Sequence, residues 1–169
     1  MDRTTTPQER AKRPRSIVAG PYGHPFHPIL VTIPIGTWVA SFIFDIIAMT
    51  ADDPEPYIMA SNILILIGLI GAVLAAAVGL LDLSTLERGT AARKTALIHM
   101  TLNFAVVVLF FISLLVRWAQ GDEDVSVVGF ILSIVALALL GASGWLGGKL
   151  AYHYGVRVAD ERTQAEGFR

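Results

Sequence analysis

Cysteine is absent from this chain of 169 residues. That absence excludes disulfides, thiolate-held metal ions, iron–sulfur clusters ligated by this chain and cysteine nucleophiles. Charge is scarce as well: 16% of the residues are charged, against roughly a quarter in ordinary soluble proteins. The net charge of −1 removes any overall electrostatic case for a nucleic-acid partner. No G-x-S-x-G, Walker-type loop or H-E-x-x-H run occurs, so neither a hydrolase nor a kinase is indicated. Whether the chain is an enzyme stays undecided. A secretory leader is not expected, because the first apolar run starts near Ile29 with no small-residue cleavage pattern after it.

What the chain has in abundance is apolar length. Hydrophobic residues make up 54% of it, and its mean hydropathy is +0.60. Four runs stand out, at about 29–50, 58–83, 95–118 and 125–150. A helix rising 1.5 Å per residue needs about 20 residues to cross a hydrocarbon core of about 30 Å. Short connections make neighbouring spans antiparallel. The expected fold is therefore all-α, an integral membrane antiparallel four-helix bundle over residues 21–158. A flexible basic tail (1–20) and a second flexible tail (159–169) flank it. Pro28 suits a first helical turn, and Pro34 with Gly36 predicts a kink. Gly68, Gly71, Ala72, Ala75, Ala76 and Gly79, and later Gly144 and Gly148, recur at three- and four-residue spacing. Such faces pack helices closely, within one chain or in a homo-oligomer. Trp38 and Trp145 are expected to pack, Trp145 against glycine-rich backbone.

Orientation follows from lysine and arginine. Twelve of the thirteen fall in the amino-terminal tail, the middle connection and the carboxyl end; Arg117 alone belongs to the opposite turns. The protein is expected in the cell inner membrane, with its amino and carboxyl termini cytoplasmic. This topology gives each polar residue a depth. His24, His27, Asp82, His99 and His153 converge on the cytoplasmic face, although they are far apart in sequence. Asp45 and Asn62 fall at similar depth in the outer half, where they are expected to hydrogen-bond to each other.

His99 and Asn103 lie four apart inside an apolar run, so they share a helix face that lipid rejects. Neutral imidazole is the axial ligand of b-type haem, and two imidazoles on different helices can hold one haem. On this reading His99 is one ligand and His27 or His153 the other, with Asp82 or Asn103 orienting an imidazole. The function is then electron transfer with a redox partner protein or a larger membrane complex. The alternative is a non-catalytic structural or accessory subunit, in which His24, His27 and His153 are wet and idle, His99 donates to a neighbouring backbone carbonyl, and partners bind glycine faces. A third reading, a small carrier using Asp45 for proton coupling, is opposed by the lack of a visible inverted repeat.

Several of these residues also form a pattern. His27-Pro28-x-x-Val31-x-x-Pro34-Ile35-Gly36-x-Trp38 followed by Asp45, then Gly79-Leu-Leu-Asp82, His99-Met-x-x-Asn103 and Gly141-x-Ser-Gly144-Trp145-Leu-Gly147-Gly148, resembles a bacterial family of predicted membrane proteins, domain of unknown function 2231. The likeness covers about residues 24–158. Family members carry a histidine one position later in the closing segment, where this chain has Tyr154 after His153. The resemblance implies a four-helix membrane domain without an assigned activity. Relatives that look fused to a Rieske-type ferredoxin domain imply a link to electron transfer.

Overall fold

The computed structural model describes residues 6–169. Residues 1–5, the first part of the expected basic tail, lie outside the described residues. Helices α1 (Pro7–Lys12), α2 (His27–Leu30), α3 (Thr32–Ala48), α4 (Glu55–Leu83), α5 (Ala91–Gln120), α6 (Val127–Gly148) and α7 (Glu161–Ala165) follow in order. No strand occurs among the described residues. Four helical stretches are long and apolar enough to cross a membrane: His27–Ala48, Glu55–Leu83, Ala91–Gln120 and Val127–His153. The last of these ends in a π-helical turn, Lys149–His153.

Local chemistry sets the ends. Pro34 has no N–H to offer the Leu30 carbonyl, and the helix breaks at Val31 between α2 and α3. Thr90 and Ser126 cap α5 and α6 by accepting from the backbone N–H of Arg93 and Gly129. Gly121 ends α5 at φ +89°, a left-handed conformation that glycine adopts without strain.

The four long helices form two closely packed pairs, α3 with α4 and α5 with α6, while packing between the pairs is sparser. Along the first pair, His27 meets Ala75, Trp38 meets Ile65 and Ser41 meets Ser61, so one number rises as the other falls. Gly68 and Gly71 bring α4 against the Trp38 and Ile33 side chains. The seam between pairs is filled by Trp38, Ile65, Leu69, Val106, Phe110, Leu114 and Ala136. Trp38 and Phe110 stack across it with centroids 4.3 Å apart and planes 13° from parallel.

At the end of the bundle carrying the interhelical turns, Asp45 and Arg117 form a buried bidentate ion pair, with Nη1–Oδ1 at 2.7 Å and Nη2–Oδ2 at 2.6 Å. This corrects the expected Asp45–Asn62 hydrogen bond: Asn62 instead donates to Asp122 at 3.1 Å. Arg117 is correspondingly a buried residue of α5 rather than part of a turn. Trp145 is also corrected, being 80% exposed on the bundle's outer face. Gly141 and Gly144 face no other group within 4 Å; the close approaches of α6 fall instead at Gly129, beside Arg117, and at Gly147, beside His99.

At the other end, residues 6–20, read from the sequence as flexible tail, fold back onto the bundle. Ala11 packs in a small cluster with Leu86 and Ala96. Its carbonyl accepts from Arg157 N–H at 3.0 Å, and Arg10 pairs with Glu87. In the carboxyl tail, Asp160 caps α7, and its own N–H donates to the Tyr22 hydroxyl at 2.7 Å.

Candidate functional site

His27 opens α2, and its Nδ1 lies 2.8 Å from the Ala75 carbonyl on α4. A carbonyl only accepts, so Nδ1 carries the proton and Nε2 is the ring nitrogen left to meet another group. Gly79, one turn beyond Ala75, leaves room for the ring: a Cβ there would stand 2.9 Å from it. The second imidazole is built alike. His99 on α5 sets Nδ1 2.8 Å from the Ser143 carbonyl on α6, and Gly147, one turn on, flanks its ring.

The two rings face each other across the seam, with centroids 6.4 Å apart and planes at 83°. They differ in their polar neighbours: Ser143 Oγ also lies 2.9 Å from His99 Nδ1, where Ala75 has no hydroxyl, and Asn103 stands beside His99 Nε2. The Asn103 amide nitrogen lies 3.1 Å from His99 Nε2, 2.9 Å from the His99 carbonyl and 2.7 Å from Ser143 Oγ, so its two N–H groups are shared among three acceptors. Asn103 is therefore the residue that addresses an imidazole.

Asp82 does not. Its Oδ1 lies 2.7 Å from Arg157 Nε, although the N–H does not point along that approach. Arg157 is 3% exposed, sits at φ +61° and donates from Nη2 to the carbonyls of Ala19 at 2.8 Å and Gly20 at 3.0 Å. It thus ties both chain termini to the end of α4. Asp82 remains within electrostatic reach of His27.

The structure therefore joins His27, His99 and Asn103, and sets Asp82 beside them in a separate ion pair. It does not bring in His153, which is exposed and lies edge-on to Tyr154. His24 is exposed too. Among the described residues no three His, Asp or Glu side chains are grouped to hold a metal ion. Ser143 was missed by sequence reasoning, because one serine in a glycine-rich run carries no signal of its own. Arg157 was missed because its polar surroundings in the sequence resemble a solvated tail.

A family model described as predicted membrane protein (DUF2231) matches residues 23–160. No curated protein and no solved structure matches the chain.

Proposed function

The chain belongs to the DUF2231 family of predicted membrane proteins, and from that footing we propose that His27 and His99 are the axial ligands of a b-type haem. The protein would then carry electrons at the cytoplasmic side of the inner membrane. The observation that carries this reading is the facing pair of imidazoles, 6.4 Å apart, each with Nδ1 given to a backbone carbonyl. Metal-binding histidines characteristically fix the remote ring nitrogen in this way. With metal–nitrogen bonds of about 2.0–2.1 Å, two imidazoles on opposite sides of one ion have centroids roughly 6 Å apart.

The donor set fits haem better than a bare ion. Two protein ligands leave a tetrahedral zinc site half empty, whereas a porphyrin supplies its own equatorial nitrogens. When bound, haem supplies one-electron chemistry. The chain's part is to hold both tautomers through Ala75 and Ser143, to leave space at Gly79 and Gly147, and to close the end with Arg157 and Asp82. A redox partner, or the larger complex it serves, would meet the protein at this end. The lysine and arginine distribution supports a cytoplasmic placement for it.

One observation favours the accessory-subunit reading. Asn103 already satisfies His99 Nε2, as it would in a purely structural bundle. Haem content separates the two. Purified protein from haem-rich expression should carry stoichiometric haem, His27→Ala and His99→Ala should lose it, and His153→Ala should retain it. A folded wild type that stays empty after reconstitution overturns the haem reading.

A further inference from the structure

Three residue pairs touch across the seam, and the members of each are 72 positions apart: His27 with His99, Trp38 with Phe110, and Asp45 with Arg117. The even helices keep a matching register. His27 reaches a carbonyl 48 positions on and His99 one 44 positions on, and the glycine beside each ring follows that carbonyl by one turn. Ser41 and Ser113 meet partners at the same register with donor and acceptor exchanged: the Ser41 carbonyl accepts from Ser61 Oγ 20 positions on, and Ser113 Oγ donates to the Gly129 carbonyl 16 positions on. The offset is thus constant along the odd helices and four shorter along the even ones.

A residue meets its own counterpart only on a twofold axis. Three such meetings, stacked from one end of the bundle to the other, place that axis along the helices. The fold is two copies of one helix pair, a parallel repeat about the bundle's long axis. His27 and His99 are then equivalent residues of a two-sided site, and any departure from equivalence at their level marks a difference between the two sides.

Two departures touch a ring nitrogen: Ser143, counterpart of Ala75, sets its Oγ 2.9 Å from His99 Nδ1, and Asn103 stands at Nε2. Asn103 lies one turn after His99, and its counterpart one turn after His27 is Val31. The asparagine amide donates to His99 Nε2, whereas valine has no polar atom to offer His27. We infer that Asn103 is a specificity-determining cap: it competes with a ligand for His99 and leaves His27 as the open side of the site. This rests on the haem reading above. The Asn103 amide would compete with a bound metal group for the His99 Nε2 lone pair, while His27 would meet no such competitor.

Haemin titration of the full-length, detergent-solubilised protein tests this, read by the Soret band and the spin-state bands. Asn103→Val takes the amide away from His99 Nε2 and puts the residue found beside His27 in its place. It should tighten haemin binding about two- to tenfold, the equivalent of one neutral hydrogen bond, and shift the oxidised spectrum towards the low-spin, two-imidazole form. Val31→Asn builds the same cap on His27 and should weaken binding by a similar factor. Helical circular dichroism and size exclusion check folding, and Asn103→Leu replaces Asn103→Val if the latter misfolds. Haemin binding that is the same in wild type and in both folded variants overturns the cap while leaving the haem site standing. Binding by none of them overturns both.

Discussion

Arg117 grips Asp45 with both terminal nitrogens, at 2.7 and 2.6 Å, and the two side chains are 1% and 0% exposed. Its Nε donates to Ser113 Oγ at 3.1 Å and Nη2 also reaches Ser133 Oγ at 3.3 Å. Both carboxylate oxygens are therefore occupied. A carboxylate held this way is a lock between the helix pairs.

The lock predicts a non-additive mutant cycle. Asp45→Leu or Arg117→Leu leaves one buried charge unanswered and should cost about 3–5 kcal/mol. The double variant removes both charges and should cost much less than the sum. Unfolding in detergent micelles measures this, and additive losses would contradict the lock.

Two glycines make a contrasting pair. A Cβ at Gly68 would stand 2.6 Å from Trp38 Cδ1, in the middle of the seam, whereas Gly36 has no neighbour within 4 Å. Gly68→Ala should lower stability by about 1–3 kcal/mol through overpacking. Gly36→Ala should leave it unchanged or raise it by up to about 1 kcal/mol, since alanine is the better helix former. Equal thermal midpoints for the two variants would refute the close approach at Gly68.

The pattern of success in the sequence reading has a physical cause. Hydropathy reports depth in a membrane, and depth placed the four spans and brought His27 and His99 to one end. It does not report which way a helix face points. Asp45 and Asn62 do lie towards the same end, but Asp45 turns to α5 and Asn62 to the turn at Asp122. His153 has the right depth, yet the π-helical turn carries its ring to the surface. Arg117 looked like a loop residue because a charge ends an apolar window. The repeat was hidden because counterparts such as Trp38 and Phe110, or Asp45 and Arg117, differ in type, and the matched pairs His27/His99 and Ser41/Ser113 are too few to stand out in the sequence.

Asp160 gives a pH prediction outside the spans. Its carboxylate accepts from the backbone and side chain of Thr163, and these bonds hold its pKa below the usual aspartate range. A lowered folded pKa means that the cap on α7 is fully formed above the unfolded value of about 3.9 and is lost as pH falls through the lower folded value. Amide exchange at Thr163 should accelerate only under that acid, and Asp160→Ala should show fast exchange already at neutral pH. A Thr163 amide equally protected in the variant would disprove the cap.

The central claim is the pairing of His27 with His99 on one iron. An oxidised-minus-reduced absorption spectrum of the purified protein, made with ample haem supply, addresses it most directly. The account predicts a Soret band with sharpened bands on reduction, abolished or converted to a high-spin spectrum in His27→Ala and His99→Ala. A colourless, folded protein, or a haem spectrum that neither substitution changes, would contradict it.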